Sequence, residues 1–161
     1  MSQDSLMITV DEIMTRDVLT VGVDTPVDEV AATLYRNRIS GVPVVDAGGQ
    51  VVGLVSEFDV IGRRGKVARD IMTADVISVG PGTPAEDVAA ILTNQRVRRV
   101  PVVDGGQAVG IVSRSDLVRL FSMTRWSCEM CGYFERGFHR PDRCAACGST
   151  QISLDREPPG M

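Results

Sequence analysis

The sequence matches itself at an offset of 58, and this duplication constrains the fold of the 161-residue chain more than any other feature. Between residues 13–46 and 71–104, 19 of 34 positions are identical without a gap. Skipping Gly49 lowers the offset to 57, and the match resumes at Gln50/Gln107, Gly53/Gly110, Ser56/Ser113 and Asp59/Asp116. Two copies are too few for a solenoid. A single copy of about 55 residues also buries too little surface to stand comfortably alone. The duplication therefore predicts a pseudo-symmetric pair packed face to face.

Both copies read as β-α-β-β-α. Apolar runs at 18–21 and 76–79 predict a first strand. Thr25-Pro26 and Thr83-Pro84 then read as a helix N-cap with proline at the first helical position. Asp28 and Glu86, three residues past the threonines, are placed to complete a capping box. Val27, Val30, Ala31 and Leu34 recur at helical spacing, as do Ala85, Val88, Ala89 and Leu92. Each helix leads into V-P-V-V-D, a glycine turn short enough for a hairpin, and a further strand at 51–55 or 108–112. A second helix starts at Ser56 or Ser113. The strands are nearly continuous apolar runs, as expected where helices cover both faces of a sheet. The fold class is therefore α/β (α+β): two such units plus a small ribbon in the last third.

Composition narrows the function. Seventeen basic against twenty-one acidic residues leave a net charge of −4, which argues against a dedicated phosphate-backbone binder. No apolar run is long enough to span a bilayer. Residues 1–7 lack the basic start of a secretion signal, so the cytoplasm is the expected compartment. There is no P-loop, no G-x-G-x-x-G and no nucleophile–base constellation, and the single histidine, His139, lies in the C-terminal third. The chain is expected not to be an enzyme.

The motifs I-M-T-x-D-V, T-P-x-x-x-V-A-A, R-x-x-x-V-P-V-V-D and G-h-V-S-x-x-D, each present twice, resemble a tandem pair of CBS domains, a Bateman module, over about residues 10 to 121. The expected organisation is a CBS domain at 1–66, a second at 67–123, a four-cysteine ribbon at 124–155 and a flexible tail at 156–161. The resemblance implies an adenosine-containing ligand (AMP, ADP, ATP or S-adenosylmethionine) in the cleft between the copies, and often a homodimer.

From the residues alone, S-x-x-D at Ser56–Asp59 and Ser113–Asp116 has two readings. It is a capping box, or it supplies a carboxylate for the hydroxyls of a ribose beside a helix N-terminus. The resemblance favours ribose for both aspartates and builds each site from both copies. It implies one site from Ser113 and Asp116 with Thr15, the Leu19 backbone, Ile39 and Ser40. The other combines Ser56 and Asp59 with Thr73, the Ile77 backbone, Val97, Arg98 and Arg99. Arg98-Arg99 stand where the first copy has Ser40-Gly41. They read either as a phosphate clamp, for which the planar guanidinium is suited, or as a solvated face. The clamp reading makes the Asp59 site the phosphate-rich one. The linker cluster Arg63, Arg64, Lys66 and Arg69 reads as a solvated connector or as further polyphosphate contacts.

Cys128-x2-Cys131-x12-Cys144-x2-Cys147 places four sulfurs on two C-x-x-C-G knuckles, the demand of tetrahedral zinc or mononuclear iron. Two disulfides would use the same count, but a reducing cytosol favours a metal, and so short a segment needs one to fold. W-x-C-x-x-C-G-Y onward resembles the rubredoxin-like C-terminal domain of rubrerythrins, which implies iron. Ala145 departs from the proline usual there, and the di-iron helical bundle is missing. Trp126, Tyr133, Phe134 and Phe138 read as a miniature core around the ion, with His139 exposed and surplus. Five arginines against five acidic residues between 124 and 161 give no basic stripe. The sequence thus describes an adenine-nucleotide-responsive regulator whose metal ribbon gives stability or meets a protein partner. The alternatives are an electron carrier with an iron tetrathiolate, or a nucleic-acid-associated adaptor.

Overall fold

The computed structural model describes residues 7–156. The readings of residues 1–6 as no leader and of 157–161 as a frayed tail lie outside the described residues. In the first copy, β1 (Val21–Gly22), α1 (Val27–Asn37), β2 (Gly41–Val45), β3 (Val51–Ser56) and α2 (Glu57–Gly62) follow one another. A short helix, α3 (Ala68–Ile71), leads to α4 (Ala85–Asn94), β4 (Arg99–Asp104), β5 (Gln107–Ser113) and α5 (Arg114–Met123). The ribbon is β6 (Thr124–Cys128), β7 (Phe134–Glu135) and β8 (Ile152–Arg156). The mixed α/β class is as expected.

Two local readings are corrected. The first strand is only β1, paired in parallel with β2 at Val21↔Val44, and the second copy keeps just a parallel bridge, Val79↔Val102. The preceding residues close tight turns instead: Val18 N–H donates to Arg16 C=O at 2.9 Å and Val76 N–H to Ala74 C=O at 3.0 Å. Nor do the threonines cap the helices. Pro26 and Pro84 hold extended backbone (ψ 144° and 141°) at the N-cap, with no side-chain cap bond. Thr25 Oγ1 accepts the Gly22 N–H at 2.9 Å, closing the strand–helix turn, and no capping box forms at Asp28 or Glu86.

β2 and β3 form an antiparallel hairpin from Gly41↔Ser56 to Val45↔Val51, with an irregularity between Val44 and Val45. β4 and β5 form the second hairpin. The chain divides into two compact units, one of residues 15–81 with 99–111, the other of residues up to 14 with 82–98 and from 112 onward. This division cuts across the sequence repeat: residues up to 14 group with the second copy, while the α3 segment and residues 99–111 of the second copy group with the first. In the first unit, Ala68 N–H donates to Thr25 C=O at 2.8 Å and Val27 N–H to Lys66 C=O at 3.0 Å. In the second, Val10 N–H donates to Thr83 C=O and Ala85 N–H to Ile8 C=O, both at 2.8 Å. These are the same two bonds moved by 58 positions. Ala68 and Ile71, both fully buried, join a core of Val21, Val30, Leu34, Val42, Val44 and Val55. Asp70 fixes the incoming turn by accepting the Lys66 and Val67 N–H groups at 3.0 and 3.1 Å, and these bonds hold its pKa below the ordinary aspartate value.

In the ribbon, β6 lies between β7 and β8 with Trp126 opposite Glu135 and Leu154. The ribbon shares its compact unit with α4 and α5, and three contacts tie it there. Phe138 meets Phe121 edge-on at 6.0 Å between centroids. His139 Nδ1 lies 3.1 Å from Glu86. Arg136 Nη1 donates to Ser122 C=O at 2.9 Å and Thr124 C=O at 3.1 Å, covering carbonyls left open at the end of α5. Arg136→Ala is expected to cost about 1–2 kcal/mol in chemical denaturation, since those carbonyls lose a charged donor. An unchanged midpoint would mean that water serves them equally well. Among the described residues, no helix is long and apolar enough to cross a membrane.

Candidate ligand and metal sites

The two S-x-x-D motifs share the serine-to-aspartate half of a capping box; the Asp59 N–H also donates to Ser56 Oγ at 3.4 Å, whereas Ser113 Oγ lies 2.8 Å from Ser115 Oγ. Ser56 N–H donates to Asp59 Oδ2 at 2.8 Å, and Ser56 Oγ lies 3.0 Å from the same oxygen. Ser113 N–H donates to Asp116 Oδ2 at 2.8 Å, and Ser113 Oγ lies 3.1 Å from it. The capping reading is therefore correct for both motifs, and it consumes one carboxylate oxygen of each aspartate. A cap does not exclude a ligand, because the second oxygen and the helix-end N–H groups remain to be accounted for.

That second oxygen separates the copies. Asp59, only 7% exposed, has Oδ1 at 3.2 Å from Arg63 Nε. Arg63 Nη1 also donates to Met72 C=O at 3.1 Å. Arg63 is thus a half-exposed connector residue whose guanidinium is held by two acceptors at once. Sequence reasoning missed this bond, although a basic residue four after an acidic one on a helix is the signal for it. Asp116 is half-buried, and its position-equivalent of Arg63 is Leu120. Of the other linker cations, Arg69 pairs with Asp24 at 2.9 Å with both side chains largely exposed, a contact of small energy.

The remaining expected ligand residues are distributed as follows. Thr15, Leu19, Ile39, Ser40, Ser56, Asp59, Thr73, Ile77 and Arg99 share one compact unit; Val97, Arg98, Ser113 and Asp116 belong to the other. Thr15 and Thr73 are held alike. The Thr15 backbone exchanges bonds with Ile111 at 2.9 and 3.0 Å, and the Thr73 backbone does so with Leu54 at the same distances. Ser40 C=O accepts from Glu57 N–H at 3.0 Å, and its counterpart Arg98 C=O accepts from Arg114 N–H at 3.3 Å. Leu19 and Thr73 are exposed, and Ile39, Ile77 and Val97 half-buried. Arg99 is half-buried and lies over its own repeat-equivalent. A Cβ on Gly41 would fall 3.0 Å from Arg99 Cδ and 3.3 Å from Val55 C=O, so any larger residue would push the arginine stem aside by a few tenths of an ångström. The solvated-face reading therefore does not describe Arg99.

The four cysteines are free of disulfides, and their sulfurs all lie within 4.8 Å of one another. Cys128···Cys147 and Cys131···Cys144 are each 3.6 Å. Four sulfurs at about 2.3 Å from one ion stand about 3.8 Å apart, so the cluster fits a tetrahedral thiolate metal. Gly132 and Gly148 adopt φ of 78° and 76°, which turns the chain back on each knuckle as an L side chain rarely allows. The thiols are unlike in acidity. The Cys131 N–H facing Cys128 draws that thiol down to about 6. At Cys147 the Ser149 N–H pulls the same way, but sharing a proton with Cys128 and burial outweigh it, and the thiol is pushed up to about 12. A cation would remove this competition by accepting all four sulfurs as thiolates.

The expected aromatic core is only partly correct. Trp126 is buried, with Nε1–H donating to Gly137 C=O at 3.1 Å. Tyr133 and Phe134 are exposed, the latter under the Arg125 guanidinium at 4.8 Å, and Phe138 faces α5 rather than the cysteines.

A duplicated unit of two helices and a hairpin, each hairpin running into a capped S-x-x-D turn, defines a class of duplicated α/β module. The CBS domain family matches residues 10–65 and 68–122, and the chain belongs to that family. The match ends before the ribbon begins. The chain is 34% identical over 115 residues to the uncharacterized protein MJ1225 of Methanocaldococcus jannaschii, covering 68% of this chain and 41% of that protein. It spans less than two thirds of the length of the first curated relatives it matches. Among solved structures it is similar to CBSX2 in complex with AMP (TM-score 0.66, 33% identity, 69% of this chain and 93% of that one). It is similar also to the CBS domain pair of MJ0100 in complex with 5'-methylthioadenosine and S-adenosyl-L-methionine (TM-score 0.67, 30% identity, 71% and 96%).

Proposed function

We propose that this chain is a non-catalytic regulator whose CBS pair binds an adenosine-containing ligand and whose four cysteines hold one zinc or iron ion. The observation that carries the reading is the repeated S-x-x-D turn, whose serine N–H holds the aspartate carboxylate at 2.8 Å in both copies, in a fold whose solved relatives carry AMP or S-adenosylmethionine. The S-x-x-D aspartates are the candidate ribose acceptors. Thr15, Leu19, Ile39 and Ser40 for one ligand, and Thr73, Ile77, Val97, Arg98 and Arg99 for the other, are the candidate base and phosphate contacts. Domain limits at 66/67 and 123/124, a homodimer and a cytoplasmic setting that keeps the thiols reduced belong to the same proposal. The ribbon then serves stability or a protein partner.

The test is a thermal-shift titration with AMP, ADP, ATP and S-adenosylmethionine. A ligand of the native state raises Tm by an amount that grows with concentration, about 2.7 kcal/mol of stabilisation at a hundred times Kd. Asp116→Asn is expected to weaken that ligand ten- to a hundredfold, about 1.5–3 kcal/mol, for the loss of a charged acceptor. No shift with any of the four would remove the nucleotide reading. The electron-carrier alternative has its own readout: ferric tetrathiolate absorbs in the visible, whereas zinc is silent.

A further inference from the structure

We infer that Arg63 keeps Asp59 from serving a ribose, so that the chain takes one adenosine ligand, through Asp116, rather than two. The inference rests on the nucleotide reading above and selects between its two aspartates. It also reverses the sequence expectation, in which Arg98-Arg99 made the Asp59 site the stronger.

Both oxygens of Asp59 already have protein partners. Oδ2 accepts from Ser56 N–H and faces Ser56 Oγ, and Oδ1 lies 3.2 Å from Arg63 Nε. Each carboxylate oxygen keeps a second lone pair, but Asp59 is buried and its Oδ1 is engaged by a guanidinium, so a ribose hydroxyl must compete with that cation for the one oxygen the cap does not use. Arg63 cannot swing away at little cost. Nη1 of the same guanidinium donates to Met72 C=O, in the segment that the second copy contributes to this compact unit, so moving the group off Asp59 breaks two charged contacts at once. It would also leave a buried carboxylate without its cation.

The second copy lacks the device. Leu120 replaces the arginine and points into the protein, 7% exposed. Asp116 is half-buried, its Oδ2 is in the cap, and among the described residues its Oδ1 has no partner. α5, ten residues long, presents this carboxylate at its first turn. One copy thus carries a filled acceptor and the other an open one, on the same backbone geometry. Position 63/120 is the specificity-determining difference.

The test is AMP stoichiometry by calorimetry on the metal-loaded full chain, in wild type, Arg63→Leu, Asp116→Asn and the double variant. Wild type is expected to bind one AMP, Arg63→Leu two, Asp116→Asn the single AMP ten- to a hundredfold more weakly than wild type, and the double variant one AMP at undiminished affinity, now at Asp59. Arg63→Gln, too short to reach both Asp59 and Met72, repeats the measurement should the leucine variant fold poorly. Two AMP per wild-type chain would overturn the inference and leave the nucleotide reading standing, as would one AMP in both Arg63 variants. Absence of binding in every protein, with AMP and the other three ligands alike, would remove the nucleotide reading and this inference with it.

Discussion

Replacing Cys128 with serine is expected to abolish metal binding and unfold the ribbon. Structural zinc held by four protein ligands in a small domain contributes about 10–16 kcal/mol of apparent binding energy at neutral pH, which is folding energy for the segment that holds it. The ribbon has little else: a three-stranded sheet of five, two and five residues around one buried tryptophan. Trp126 is the only tryptophan in the chain, so its emission reports this region alone. Wild type should carry one ion per chain by elemental analysis, and the variant none. The variant's emission should move to the red, as should that of wild type stripped by a chelator. Metal-free protein with a buried, unshifted Trp126 would overturn the metal assignment. Damage should spread to α5 through the loss of Arg136 and Phe138, while the unit built from 15–81 and 99–111 stays folded.

The second large effect is expected at Ile71→Ala. Ile71 is fully buried in the core of the first copy, although in sequence it belongs to the second. Truncating a buried isoleucine to alanine costs about 2–5 kcal/mol, for the methyls removed and the cavity left. A module of this size has about 5–15 kcal/mol in total, so the variant should melt at a clearly lower temperature. Hydrogen exchange localises the effect: amides of β2 and β3 should lose protection. A cost under about 1 kcal/mol would mean that the site collapses around the smaller side chain.

How much was legible in the sequence follows from the range of each interaction. The hairpins, the helix faces and the S-x-x-D caps rest on contacts within a few residues, and periodicity and capping patterns encode them directly. The cysteine cluster was legible because ligand spacing is itself a geometric statement. The exchange of segments between the copies was not, since the repeat tells which residues recur and is silent on which copy each packs against. Thr25 and Thr83 mislead because a threonine before a proline fits both a cap and a turn, and the Gly22 N–H decides for the turn. Gly41 reads as a mere gap in the first copy, whereas Arg99 lies across it. Arg63 is legible in principle, as an i, i+4 partner of Asp59, but the charged run around it hides the pairing.

The crossed segments set an order of events at the ribosome. Residues 8–14 leave the tunnel ahead of their partners around Thr83 and Ala85, which follow about 75 residues later, at 5–20 residues per second roughly 4–15 s. During that interval Ile8, Val10 and Ile13 have no native surface to cover them, and the first copy still lacks Ala68 and Ile71. Neither half can therefore reach its native state before synthesis of the other is well advanced. A single repeat cut out at its sequence boundary would carry an unfilled groove and a stranded apolar strip, so the pair, rather than the repeat, is the smallest unit that completes both cores.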